Sequence, residues 1–187
     1  MKKVYFITSN KGKLLEAKTR LSEVGIEVIQ KNLGYPEIQS ETLEEVARYG
    51  VKSVRERFNE PFILEDAGLF IKSLEGFPGV YSSYVFYTVG LKGILKLMTG
   101  IEGEERKASF KSVFAFSEPD QEPILFIGEC NGIITNEEKG THGFGYDPIF
   151  VAEGETKTFA EMETKEKNRF SHRGKSLDLV VNYFREK

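Results

Sequence analysis

The chain has 187 residues, of which 40% are hydrophobic, 29% charged and 12% aromatic, and 26 basic against 29 acidic side chains leave a net charge of −3. That length carries one large domain or two closely packed lobes with a real core, and the composition excludes disordered, collagen-like and disulfide-framework classes. A net-acidic surface excludes long nucleic acid as the expected partner but leaves a small anion in a local basic pocket open.

The first residues, Met1 to Thr8, hold an apolar run too short for a signal peptide or a membrane span. The expectation is a cytoplasmic protein with no membrane partner. Val4–Ile7 reads as a short buried strand that runs into Thr8-Ser9-Asn10. Leu14, Ala17, Leu21 and Val24 then fall on one helical stripe, with Leu15 beside it, ended by Gly25. Ile26–Ile29 forms a second strand. Thr42 and Glu45 make a capping box ahead of a helix whose apolar face is Leu43, Val46, Ala47, Val51, Val54 and Phe58. Glu41, Glu44 and Glu45 belong to that cap and its solvated face. Phe62–Leu64 is a short strand that delivers Glu65 and Asp66 at its C-terminal end.

Gly76-Phe77-Pro78-Gly79 is a turn, and Gly90–Met98 is helical through Leu91, Ile94, Leu95 and Met98. Ala108–Phe116 alternates, with Phe110, Phe114 and Phe116 on one side, as a long strand does. Ile124–Ile134, which carries the single cysteine Cys130, is its expected antiparallel partner. One cysteine forms no internal disulfide, and on an apolar strand it reads as packing. A glycine-rich stretch, Gly140–Tyr146, precedes a last helix through Leu177, Val180, Val181 and Phe184. Strand–helix–strand units followed by a long hairpin predict an α/β protein: a mixed twisted sheet with flanking helices, and two lobes around a central substrate cleft.

Several segments can carry chemistry. Thr8-Ser9-Asn10-Lys11-Gly12-Lys13 joins a strand to a helix, where free backbone N–H groups and two lysines favour an anion. It is not the Gly-x-x-x-x-Gly-Lys-Ser/Thr loop, and a capped helix start with solvated lysines is the plain alternative. Adjacent acids on a strand point to opposite sides, so one of Glu65 and Asp66 can face a cleft. Carboxylate oxygens suit Mg²⁺, which takes one or two of them plus substrate phosphates. Glu37 is a third candidate. Apolar neighbours on both sides of Asp66 imply partial burial, which requires a partner such as a metal or a lysine.

In Gly143-Phe144-Gly145-Tyr146-Asp147-Pro148, an aromatic face can stack on a base and a carboxylate can accept a purine N–H. A turn with aromatics dipping into the core is the competing explanation. Lys165, Lys167, Arg169, Arg173 and Lys175 surround His172 against the single acid Glu166. This local reversal of sign suggests an anion pocket or a neutral patch.

Taken in order, Thr8–Lys13, Leu64–Leu69, Gly76–Gly79, Phe144–Asp147, Phe159–Met162 and Ser171–Arg173 resemble the inosine triphosphate pyrophosphatase family over essentially the whole chain. The resemblance implies one nucleoside triphosphate pyrophosphatase domain over residues 1–187. It implies Mg²⁺-dependent hydrolysis of non-standard purine nucleoside triphosphates (ITP, dITP, XTP) to monophosphate and pyrophosphate, and a homodimer. In these terms Thr8, Asn10 and Lys13, within the Thr8–Lys13 loop that includes Ser9, Lys11 and Gly12, hold the triphosphate, which Lys167 reaches from the other lobe. Glu37 and Asp66 bind Mg²⁺ with help from Glu65, and Asp66 orients or deprotonates water. Phe144, in the loop with Gly145 and Tyr146, stacks on the base, whose edge Asp147, His172 and Arg173 read.

Two departures stand out. Ala67 lacks the hydroxyl that many relatives carry after the catalytic Asp, and Gly50 aligns where bacterial and eukaryotic relatives place a helical Lys. Two other functions compete: a Maf-like pyrophosphatase acting on pyrimidine or modified nucleotides, and a non-catalytic nucleotide-binding module. The Ser171–Arg173 and Phe144–Asp147 motifs disfavour the first, and the carboxylates disfavour the second.

Overall fold

The computed structural model describes residues 2–36 and 38–187. In chain order these form β1 (Lys2–Ile7), α1 (Lys11–Ser22), β2 (Ile26–Lys31), α2 (Leu43–Arg55), β3 (Phe62–Ile71), β4 (Pro78–Gly79), α3 (Ser82–Thr88) and α4 (Gly90–Leu97). β5 (Lys107–Ser117), β6 (Ile124–Ile134), β7 (Phe150–Ala152), α5 (Thr164–Lys167) and α6 (His172–Glu186) complete them, with short 3₁₀ turns between. Among the described residues one mixed seven-stranded sheet runs β2-β1-β3-β5-β6-β7, with β4 paired to β3 off that path. β1 is parallel to β2 from Lys2↔Ile26 to Ile7↔Lys31, and parallel to β3 at Tyr5↔Phe62 and Phe6↔Ile63. Parallel neighbours need a crossover, which α1 and α2 supply. β4 lies antiparallel to β3, and β7 antiparallel to β6.

The chain divides into two compact units: Met1–Asp66, Ser112–Gly128 and Lys175–Lys187 form one, Ala67–Lys111 and Glu129–Gly174 the other. Strands β3, β5 and β6 each contribute residues to both.

The first unit packs Val4 and Phe6 of β1, Ala17 and Leu21 of α1, Val28, Ile63, Phe114 and Phe116, and Leu177, Val180 and Val181 of α6 into one core. Leu15, beside the predicted stripe, is exposed instead. At the start of α2 the cap is a variant of the expected box. Thr42 Oγ1 accepts from the Glu45 N–H at 3.3 Å, but the Glu45 carboxylate takes the Ser40 hydroxyl, and that hydroxyl accepts the Thr42 N–H at 3.2 Å. Phe58 lies past the end of α2 and packs edge-on against Tyr5, with centroids 5.0 Å apart.

The second unit packs Leu69, Ile71, Val85, Ile94, Met98, Phe110, Ile134, Phe150 and Phe159 together with Cys130. Buried Arg106 stands among these residues as a polar clamp. Its guanidinium donates to the carbonyls of Ile134 (2.7 Å), Met98 (3.1 Å), Ile101 (2.8 Å) and Thr135 (2.5 Å), closing loop backbone that the sheet leaves unpaired. Burial depresses its pKa, as expected where the charged form loses water.

Two elements differ from the sequence reading. The strand read as Phe62–Leu64 continues to Ile71, so Glu65 and Asp66 sit inside it rather than at its end. The acids break the apolar run after Leu64, but a strand tolerates a polar residue on either face. Helix α3 was not predicted. Its Tyr84 and Tyr87 are exposed while Ser82 and Val85 are buried, so a short helix of about two turns carries aromatics outward and leaves little apolar periodicity to read.

Candidate active site

In the first unit, β1 ends into Thr8, whose Oγ1 accepts the Asn10 N–H at 3.1 Å. Asn10 caps α1, its Oδ1 accepting from the Lys13 N–H at 3.0 Å. The loop is therefore the capped, amide-rich helix start that the sequence suggests. Ser9 and Lys11 are exposed, and Thr8, Asn10, Gly12 and Lys13 are half-buried. Lys13 turns inward: its Nζ is 2.6 Å from Glu65 Oε2 and donates to the Glu65 carbonyl at 3.0 Å.

Glu65 and Asp66 do face opposite ways. The Glu65 side chain is fully buried, with Oε1 accepting the Ser112 hydroxyl at 2.7 Å, and Ser112 Oγ lies 3.0 Å from Ser176 Oγ. A buried carboxylate that is paired with an ammonium and accepts a hydroxyl is stabilised in place. Oε1 thus accepts a hydroxyl, and Oε2 lies in ion-pair contact with the Lys13 ammonium. Asp66 is half-buried, and the Tyr35 hydroxyl donates to both its oxygens, at 3.0 Å to Oδ2 and 3.2 Å to Oδ1. Ala67 beside it is half-buried. Glu37 lies outside the described residues. Among those residues no group of three or more His, Cys, Asp or Glu side chains is placed to hold a metal ion. Mg²⁺ does not require one, because it keeps waters and binds through one or two carboxylates and the substrate's phosphates. The hard oxygens of partly exposed Asp66 fit that requirement.

In the second unit, Gly143 adopts φ +73°, and a Cβ there would fall 2.0 Å from Asp147 Oδ2. This glycine lets the loop fold over the acid. Asp147 Oδ2 accepts the Phe144 N–H at 2.9 Å and pairs with Lys167 Nζ at 2.7 Å, both side chains buried. The Phe144 ring lies under two cations, with the Arg173 guanidinium 5.1 Å and Lys167 Nζ 5.4 Å from its centroid. His172, at the start of α6, is buried and stacked on Phe110 at 4.5 Å with planes 13° apart. The five-cation run is thus divided. Lys167 and Arg173 turn in around the aromatic loop, and Lys165, Arg169 and Lys175 stay exposed.

Gly145 is half-buried with φ +64°. Tyr146 is a core residue. Its hydroxyl donates to the Ser82 carbonyl at 2.8 Å, and burial raises its pKa well above the usual phenol range. Its side chain thus supports the loop from below.

Tyr35, Ser112 and Ser176 escaped the sequence reading. Ser112 carried a signal, a hydroxyl on the same side of the strand as Phe110, Phe114 and Phe116. Tyr35 carried none, because an aromatic in an irregular segment has no periodicity to betray it.

The sequence model of the Ham1 family matches residues 4–183. A protein of Pyrococcus horikoshii named dITP/XTP pyrophosphatase is 56% identical over 183 residues, covering 98% of this chain and 97% of its own. A Thermococcus kodakarensis protein of the same name is 52% identical, covering 97% and 96%. A solved HAM1 protein from Coxiella burnetii superposes with a TM-score of 0.87 at 29% identity, and the Ham1 protein of Staphylococcus aureus with 0.85 at 28%, each covering both chains completely.

Lys167→Met should cost about 3–5 kcal/mol of stability, because it leaves Asp147 charged and buried without its cation. Urea unfolding measures this, and adding Asp147→Asn should restore part of the loss. A single variant within about 0.5 kcal/mol of the parent, the range of ordinary surface substitutions, would show that the pair is not buried in solution.

Proposed function

We propose, because the chain belongs to the Ham1 family, that it is a nucleoside triphosphate pyrophosphatase that hydrolyses dITP, XTP and ITP to the monophosphate and pyrophosphate. The single observation that carries this reading is the split of two adjacent acids on β3, one anchoring Lys13 and the other half-exposed. In this reading Asp66 and Glu37 would hold Mg²⁺, which when bound would supply positive charge against the polyphosphate.

Each residue then has a task. The amides of Ser9 to Lys13 and the Asn10 cap hold phosphate oxygens at the start of α1. Lys13 gives one N–H to the Glu65 carbonyl and lies in ion-pair contact with its carboxylate, and a remaining donor serves the polyphosphate. Lys167 reaches the triphosphate with the N–H groups that Asp147 does not take. Asp66 orients the attacking water and accepts its proton as the water meets the α-phosphorus. Pyrophosphate leaves against the lysines, so the step needs positioning and charge neutralisation and no protein nucleophile.

Phe144 stacks on the purine. Asp147 accepts a purine N–H through Oδ1, the oxygen not engaged by Lys167 or the Phe144 amide. His172 and Arg173 donate to the 6-keto group of hypoxanthine and xanthine. Adenine brings a donor to the same place, and a buried donor facing a donor discriminates by roughly 10⁴-fold or more. The protein acts in the cytoplasm as a homodimer and removes non-standard purines from the nucleotide pool.

Asp66→Asn should lower kcat on dITP at least about a hundredfold, the range of general-base loss, while dITP binding changes little. Turnover at the parental rate would remove Asp66 from its role. His172→Ala should narrow the ITP-over-ATP preference in kcat/KM by about tenfold, the scale of one lost hydrogen bond to a buried polar group. An unchanged ratio would mean that the 6-position is read elsewhere.

A further inference from the structure

We infer that Tyr35 is a positioning residue for Asp66, and that the absence of a side chain at Gly50 is what admits it. The inference rests on the proposed role of Asp66 and assigns two residues that the resemblance leaves without a function.

The observations converge on one small wedge in the first unit. Tyr35 follows Gly34, which takes φ +60° and whose carbonyl accepts from the Arg57 guanidinium. It precedes Pro36, which confines its backbone to extended conformations. The segment is thus held on both sides of the tyrosine. Its ring lies against α2 at Gly50. A Cβ there would sit 2.8 Å from Tyr35 Cε2, 2.9 Å from Cδ2 and 3.2 Å from Leu64 Cδ2. Contacts below 3.0 Å with ring carbons are not accommodated without moving the ring. Leu64 and Asp66 share a face of β3, being two residues apart on a strand. A ring seated near Leu64 therefore projects its hydroxyl one pleat further, and there it donates to both Asp66 oxygens, at 3.0 and 3.2 Å.

A carboxylate carries about four lone-pair sites, and a donor shared by both oxygens constrains the plane of the group. On a half-exposed aspartate this matters. Unrestrained, the side chain samples several rotamers, and misplacing a base by about 1 Å can cost a hundredfold in rate. The ring is held by packing, and the phenol transmits that order to the carboxylate. The bare backbone at Gly50 and the tyrosine are then two sides of one arrangement. Any side chain at that helical position would occupy the volume that the ring fills.

The test is a cycle on Tyr35→Phe and Gly50→Ala, assayed on dITP with Mg²⁺ and followed by crystallography. Tyr35→Phe keeps the ring and removes only the hydroxyl. Its kcat should fall about tenfold, the scale of one hydrogen bond to a charged group, with KM within about twofold of the parent and thermal stability preserved. Gly50→Ala should lower kcat similarly by displacing the ring, and the double variant should be no worse than the more impaired single one, since both remove the same contact. In crystals of Tyr35→Phe the Asp66 carboxylate should leave its present orientation or split between rotamers.

A parental kcat in Tyr35→Phe, or fully additive losses in the double variant, would overturn the inference. So would an Asp66 carboxylate unmoved in the Phe variant, and this readout holds even if the parent fails to hydrolyse dITP. Such a failure would strike the functional reading instead.

Discussion

The alternation of side chains along β3 at Glu65 and Asp66 is the constraint from which the rest of the candidate site follows. Two adjacent carboxylates on one strand point to opposite faces of the sheet, and here only one of those faces is closed over the acid. Glu65 takes the buried side and would be costly there without partners, so Lys13, Ser112 and, through Ser112, Ser176 are drawn around it. That network fixes the first turn of α1 against the strand and turns a flexible lysine into a directed donor. Asp66 takes the other side and stays half-exposed, able to meet ligand and water. One pleat thus separates a buried acid from a half-exposed one.

The second unit solves a comparable problem with the opposite emphasis. Asp147 and Lys167 are buried as a pair, Phe144 lies beneath Lys167 and Arg173, and His172 is stacked on Phe110. Burying this much charge is favourable only when the partners are close and well oriented. A loop built this way is held by its own buried partners rather than by solvent. Gly143 is the backbone condition for it, since any side chain there would strike the Asp147 carboxylate.

Much of this was legible in the sequence. The helical stripes of α1 and α2, the alternation in β5 and β6 and the small polar loop after β1 carry strong periodic or turn signals, and the mixed α/β sheet follows from their order. The opposite orientations of Glu65 and Asp66 were readable from strand geometry alone. What was not legible depends on contacts between segments distant in the chain. The continuation of β3 past its acids relies on pairing with β4, and the engagement of Lys13 relies on a residue 52 positions away. Tyr35 belongs to the same class, because its partners Gly50 and Asp66 meet it only once α2 and β3 are packed. The five-cation run from Lys165 to Lys175 looked like one feature and folds as two, with Lys167 and Arg173 drawn inward by aromatic rings that the local sequence does not contain.

Hydrolysis of dITP in H₂¹⁸O with Mg²⁺, followed by mass spectrometry of both products, tests the central claim most directly. Attack by an Asp66-oriented water on the α-phosphorus predicts one ¹⁸O in the monophosphate and none in the pyrophosphate. Label in the pyrophosphate, or release of inorganic phosphate in its place, would contradict it.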